Sequence, residues 1–352
     1  MYCEVPFYFF KGVKGYNIFN SYYIKNLYNN MYQLTKAYKK YVDIYKGKIF
    51  VKPSIQKNIP LQLSVNMKNI CKKVIVFDLD ETIGSFNELY ILWQWILHNF
   101  TIHVPSDRVE MKENTIEEAK AKEAKEAKEA KEKETFNELL DIYPEFLRYG
   151  ILNILEYLHH KKQTGECYKI YLYTNNQCSN RWPSLITNYL SQKIGTEHLF
   201  DQIICSFKIN NQIFELNRTT QNKTLNDLIK CTLLPKTAEI CFIDNTYYEK
   251  MVNERVYYIK PRSYFHSLST DEIISRFSKS RFCLKEYSNQ LYLYDLLYSS
   301  NKNTNIENDL ITTQKMMYHL KKFFYLTTKK IKQKTKKINL QLGKFTRKKR
   351  NL

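Results

Sequence analysis

Glycine and proline are scarce, with eight of each in 352 residues. That shortage excludes collagen-like repeats and glycine- or proline-rich low-complexity chains. No apolar run is long enough for a membrane span; the longest, "LYILWQWILHNF", includes Gln94 and His98. The eight cysteines (3, 71, 167, 178, 205, 231, 241 and 283) form no Cys-x-x-Cys pair and no Cys/His cluster at zinc spacing. Several lie inside apolar runs such as "EICFID" and "QIICSF", where buried free thiols are common, so a reducing compartment and no structural zinc are expected. The start, "MYCEVPFYFFKGVKG", has no basic region ahead of its short apolar patch, which speaks against a cleaved signal peptide. A soluble, intracellular protein of cytoplasm or nucleus is the expectation.

Acidic residues are missing from the last stretch. Between Lys315 and Leu352 there are fourteen Lys or Arg and no Asp or Glu, so most of the net charge of +20 belongs to this tail. The rest of the chain has an ordinary balance, and its hydrophobic fraction of 43% is compatible with a packed core. Tyr, Lys and Asn are abundant, a bias that says little about activity.

Residues 1–70 read as an aromatic, basic N-terminal segment with an amphipathic helix over "SYYIKNLYNNMYQLTKAYKKYVDIY". From 71 to 265 short apolar strands ("KVIVFDLD", "KIYLYT", "QIICSF", "EICFID", "RVYYI") alternate with helices ("YGILNILEYLHHKK", "RWPSLITNYLSQKI", "KTLNDLIKCTLL"). This pattern predicts an α/β fold: a Rossmann-like, mainly parallel sheet with helices on both faces, and helical additions at both ends. An insertion over about 86–140 follows the first strand. It contains the three-residue repeat "IEEAKAKEAKEAKEAKEKE" at 116–134, whose period keeps no apolar face, so a solvated helical spacer is expected. Residues 266–310 read as a terminal helix ("TDEIISRFSKSRF") and a linker, and 311–352 as the basic tail.

In open parallel sheets the ligand site lies beyond the carboxyl ends of the strands. The chain puts its polar residues there: Asp78 ends the first strand, Thr174 the second, and Asp244 another. Asp80 lies two residues beyond Asp78, and Lys223 opens a helix between Thr174 and Asp244, although Lys208, Lys230 and Lys236 share that interval. Together these groups suit phosphoryl transfer. A carboxylate nucleophile needs a cation to neutralise its charge against a phosphate. A second acid protonates the leaving oxygen, and a hydroxyl and an ammonium bind the equatorial oxygens. Asp78, Asp80, Thr174 and Lys223 fit those roles, with Asp244 completing an all-oxygen Mg²⁺ site.

"DLDET", "YTNNQ", "NKTLNDLI" and "CFIDN" resemble the four ordered motifs of the haloacid dehalogenase superfamily, and most of all its branch of RNA-polymerase carboxy-terminal-domain phosphatases. The resemblance covers about residues 71–265. It implies Mg²⁺ dependence and an aspartyl-phosphate intermediate. Asp78 would be nucleophile and metal ligand, and Asp80 acid/base and a carbonyl ligand of the metal. Thr174, Asn175 and Lys223 would hold the phosphate and Asp244 would bind Mg²⁺. Asn245 is either a further group at the metal or a strand-end turn. The chain departs from that branch where Ile83, Gly84 and Ser85 follow "DLDET" and where Thr246 and Tyr247 follow Asp244-Asn245.

The expected activity is hydrolysis of a phosphorylated protein. A nucleic-acid-end phosphatase and an inactive nucleic-acid-binding adaptor are the alternatives. The helix "NELYILWQWILHNF" either caps the site with Trp93 and Trp95 facing substrate or buries them in the core, the more ordinary outcome. In the tail, Met317, Leu320, Phe324 and Ile331 fall near helical spacing before "KFTRKKR". Aromatics interleaved with Lys and Arg suit nucleic acid, while an anionic membrane, nuclear import or a solvated tail without a ligand also fit.

Overall fold

The structure is a computed structural model and describes residues 41–50, 72–99, 115–178, 181–282, 287–297 and 305–326. Its centre is a six-stranded sheet built from β1 (Val42–Lys46), β2 (Lys73–Phe77), β3 (Lys169–Tyr173), β4 (Gln202–Ile204), β7 (Glu239–Ile243) and β8 (Val256–Pro261). The strand order is β1-β8-β7-β2-β3-β4. All neighbours are parallel except β1, which runs antiparallel along β8 at the edge. A hairpin of β5 (Lys208–Ile209) and β6 (Gln212–Ile213) stands apart from the sheet. It turns at Asn210 and Asn211, both at positive φ, a conformation asparagine tolerates.

The helices are α1 (Asn87–Asn99), α2 (Thr115–Ile142), α3 (Ile151–Gln163), α4 (Arg181–Ile194), α5 (Leu225–Thr232), α6 (Thr270–Ser278), α7 (Tyr287–Leu297) and α8 (306–326). Successive strand residues alternate between two cores, because side chains leave a strand on opposite faces. Ile75, Phe77, Ile170, Leu172, Cys241 and Ile243 join the larger core with residues of every helix except α5. Val74, Val76, Tyr171, Tyr173, Ile240 and Phe242 face α5, which contributes Leu225, Leu228 and Cys231. The predicted architecture of a mainly parallel sheet with both faces covered is therefore what the chain forms. No described helix is long and apolar enough to cross a membrane.

Three boundaries differ from those expected. The N-terminal helix was expected to run through Tyr45, yet Val42–Lys46 is strand β1, so residues 41–50 belong to the sheet rather than to a separate segment. An edge strand of β8 offers these β-branched and aromatic residues a ladder, which outweighs weak helical periodicity. The rest of that predicted helix lies outside the described residues. The "KEA" repeat is the first part of α2, and its exposed turns lead into Phe136, Leu139 and Leu140, all fully buried. The spacer is thus anchored at its C-terminal end, where Glu132 also pairs with Arg181 at 2.6 Å.

The third difference lies at the other end. The end of the expected linker, from Ile306, and the start of the basic tail form α8, whose Ile311, Met316, Met317, Leu320, Phe323 and Phe324 are buried in the larger core. Lys73, at the start of β2, donates to the carbonyls of Phe323 and, at 3.2 Å, of Phe324, tying down the helix's last turn. Met317, Leu320 and Phe324 therefore cannot stack on bases as the tail reading required; Ile331 and "KFTRKKR" lie outside the described residues.

Candidate active site

β2, β7 and β3 end side by side, and each hands on a polar residue. The N–H of Asp78 donates to the carbonyl of Ile243 at 2.9 Å, that of Asp244 to Ile259 at 3.2 Å, and that of Thr174 to Ile204 at 3.0 Å. These bonds extend the parallel ladders by one residue and fix the three side chains at one end of the sheet.

Lys223 reaches the same point from another direction. Thr224 caps α5 by accepting from the N–H of Asp227 at 3.0 Å, which leaves Lys223 just before the helix. Its Nζ donates to Asp78 Oδ1 and, at 2.7 Å, to Asp244 Oδ2. Lys223 and Asp244 are each only 1% exposed. The competing lysines are out of the question: Lys208, Lys230 and Lys236 are all exposed. A buried ammonium is tolerable here because two carboxylates and the rings of Tyr173 and Tyr248, at 5.7 and 5.5 Å, surround it. Burial opposes the charge on Lys223, but Asp244 and Asp78 outweigh it and raise its pKa. Burial pushes the Asp244 carboxyl upward, with Asp78 adding to the effect and Lys223 opposing it.

Asp80 sits on the turn after β2. Burial, followed by the charge of Asp78, pushes it up to about 6, against a 2.9 Å hydrogen bond from the side-chain amide of Asn176. The turn carries Glu81 at φ 58 and closes through Glu81 N–H to Gly84 O at 2.6 Å and Ile83 N–H to Leu79 O at 2.9 Å. Buried Arg148 holds it from below, donating to the carbonyls of Thr82 and Glu81, both at 2.6 Å. Gly84 is required: a Cβ there would lie 2.5 Å from the Phe146 carbonyl oxygen and strike the Phe86 ring.

The asparagines of the set have other partners. Asn175 accepts from Arg218 at 2.7 Å and donates one of its two side-chain N–H groups to the Tyr248 hydroxyl at 3.0 Å. Asn245 accepts from the Thr82 hydroxyl at 3.0 Å and donates to Glu81 at 3.1 Å and Ser263 at 3.0 Å. These bonds tie its side chain to the turn that follows β2. The hydroxyl of Thr174 accepts from the N–H of Asn176 at 2.9 Å and has one proton to donate.

Arg218, Asn176, Arg148 and Tyr248 were not anticipated. Asn176 lies inside "YTNNQ" and was within reach of the motif. Arg218 gave no signal, since its importance depends on contacts across the fold. It is buried and donates to the carbonyls of Thr174 (3.0 Å), Cys205 (2.6 Å) and Gln221 (2.8 Å) as well as to Asn175. One guanidinium thereby joins the segments that carry Thr174 and Lys223.

Trp93 and Trp95 are buried, as the more ordinary reading of α1 expected. In the described part of the insertion α1 packs against α2 and α7, and α2 against α4. Of the cysteines, Cys167, Cys205, Cys231 and Cys241 are buried free thiols and Cys178 is half-buried.

Could the set hold Mg²⁺? Among the described residues, no three His, Cys, Asp or Glu side chains are grouped to ligate a metal. Asp78 and Asp244 nevertheless present buried carboxylate oxygens to one shared cation, the Lys223 ammonium. Two carboxylates, with main-chain carbonyl and water oxygens completing the shell, are the usual donors for Mg²⁺. The donor chemistry fits. No model of a known protein family matches the chain, and no curated protein matches it in sequence.

Proposed function

We propose that the chain is a Mg²⁺-dependent phosphomonoester hydrolase of the haloacid dehalogenase superfamily, acting on phosphorylated protein through a phospho-Asp78 intermediate. The observation that carries this reading is the meeting of Asp78, Asp244 and Lys223, from three distant segments, at the ends of neighbouring parallel strands. The order and wording of the four motifs support the superfamily and its polymerase-phosphatase branch.

Asp78 would attack phosphorus with a carboxylate oxygen. The bond to the leaving alcohol breaks, its electron pair stays on that oxygen, and the oxygen takes the proton of Asp80. A carboxyl pushed up to about 6 suits this task, because an appreciable acid fraction persists near neutrality. Asp80 then removes a proton from water, which attacks the phosphorus of phospho-Asp78 and releases phosphate with the Asp78 carboxylate restored. Lys223 and the Thr174 hydroxyl supply positive charge and a hydrogen bond to the phosphoryl oxygens. Mg²⁺, held by Asp78, the Asp80 carbonyl and Asp244, would offset the repulsion between carboxylate and phosphate.

The interval after Thr174 carries only a small addition, the hairpin of β5 and β6, which supports a large substrate, since small metabolites usually need enclosure. Purified protein with Mg²⁺ should hydrolyse aryl phosphate and phosphopeptides, and EDTA or Asp78→Asn should abolish both. Absence of turnover on aryl phosphate, phosphopeptides and phosphorylated DNA and RNA ends would overturn the reading. Turnover on nucleic-acid ends alone would reassign the substrate.

A further inference from the structure

α8 carries a pattern that the Asp78 centre does not use. Tyr318, Lys322 and Tyr325 are spaced by four and three residues, so they form one stripe along the helix, while the Lys315 ammonium is buried 4.9 Å from the Tyr41 ring. Tyr318 is 53% exposed and Tyr325 60%, large values in a helix whose other faces are buried. Lys322 Nζ lies 5.8 Å from the centre of the Tyr318 ring.

The neighbouring edge strand adds to the charge. Lys46, at the end of β1, lies beside Tyr257, with its Nζ 5.6 Å from that ring. The Tyr257 hydroxyl meets His319 Nδ1 at 2.8 Å, and His319 sits one turn beyond Lys315 on α8. The charges that act on His319 are those of Lys46, Lys322 and Lys315, all cationic. Like charges brought together from a strand and a helix repel one another, so the surface is complementary to an anion. The sequence beyond Leu326 cannot be that anion: it holds eleven further Lys or Arg and no Asp or Glu.

The surface is remote from the phosphatase centre. Lys46 pairs with Tyr257 near the start of β8, and α8 ends over Lys73 at the start of β2, whereas Asp78 follows the end of β2. A ligand bound here leaves the carboxylate centre uncovered.

We propose that Lys46, Tyr318, Lys322 and Tyr325 form a binding surface for single-stranded nucleic acid. The lysines neutralise successive phosphates and the two exposed tyrosines stack on unpaired bases. Alternation of the two residue types favours a single strand over a duplex, whose bases are already stacked, and over a membrane or acidic peptide, which would need only the charge.

The test is fluorescence anisotropy of the full chain with short fluorescein-labelled oligo(dT), over a range of NaCl concentrations. Lys46→Glu/Lys322→Glu should weaken binding at least tenfold and make the salt slope shallower by about 1.4, from two phosphate contacts. Tyr318→Ala/Tyr325→Ala should weaken it by about tenfold or more at an unchanged slope. Lys46→Arg/Lys322→Arg should bind as the parent does, and all variants should keep aryl phosphate turnover, which reports intact folding. The proposal is overturned if both double variants bind oligo(dT) like the parent, or if the tyrosine variant does. Equal affinity for a duplex of the same length, or tighter binding to phosphatidylserine-containing vesicles than to oligo(dT), also overturns it.

Discussion

Lys223 donates a 2.7 Å hydrogen bond to Asp244 and shares the same ammonium with Asp78, so one buried cation serves two carboxylates. Removing one partner from such a group leaves an uncompensated buried charge, which costs about 3–5 kcal/mol. Lys223→Met should therefore lower unfolding free energy by about that amount in urea titrations, and abolish turnover. Adding Asp244→Asn to that variant should recover part of the stability and none of the activity. Full stability in the single variant would show that Lys223 does not neutralise the pair.

Arg218 is expected to act through the residues it positions. Its replacement by Lys keeps a positive charge but cannot reproduce bonds to three carbonyls and an amide. Arg218→Lys should fold, with its melting midpoint moderately lowered, and lose about 10²-fold in kcat/KM through displacement of Thr174 and Lys223. Inhibition by inorganic phosphate should weaken in parallel. A variant with lowered stability but normal phosphate affinity would limit Arg218 to a structural role.

The raised pKa of Asp80 has a definite direction in kinetics. Its acid form is lost as pH climbs through about 6, so phosphorylation of Asp78 by an alkyl phosphate should slow above that pH. An aryl phosphate, whose leaving oxygen needs less protonation, should respond less. Asp80→Asn should retain a larger fraction of activity on the aryl ester than on the alkyl ester. Identical losses on both would remove Asp80 from the acid role.

Gly84 offers a check on the turn that carries Asp80. Gly84→Ala would force its Cβ against the Phe146 carbonyl and the Phe86 ring, an overpacking that costs about 1–3 kcal/mol. Thermal melting should register that loss, with turnover falling further than the unfolded fraction explains.

What could be read beforehand followed from local pattern. α4 was legible to the residue, because "RWPSLITNYLSQKI" is periodic and bounded, and three of the apolar strands were placed within a residue or two. Asp78, Thr174 and Asp244 were recoverable since strand ends are where a parallel sheet puts its ligand groups. Lys223 could be ranked above its rivals but not separated from them, because burial between two carboxylates is a property of the closed fold. Arg218 was invisible for the same reason. Strand β1 and the apolar face of α8 were misread because Tyr- and Lys-rich segments carry weak periodicity, and their partners, β8 and the larger core, lie far away in sequence.

His319 provides the clearest link between α8 and pH. Burial first, and then Lys46, Lys322 and Lys315, hold its pKa down from the ordinary 6.5 to about 4. The unfolded chain takes up this proton as pH falls through about 6.5, while the native chain resists until about 4. Its contribution is thus complete above 6.5 and is lost progressively as pH falls towards 4. Solvent around the lysines screens part of the effect, leaving about 1–2 kcal/mol. Asp80 and Asp309, both raised to about 6, act in the opposite sense across the same window, so the signature is a difference between two proteins. Urea titrations at pH 7.5 and pH 5 should show the parent losing more stability than His319→Gln on acidification. If the two proteins change in parallel, the buried imidazole is not what couples α8 to pH.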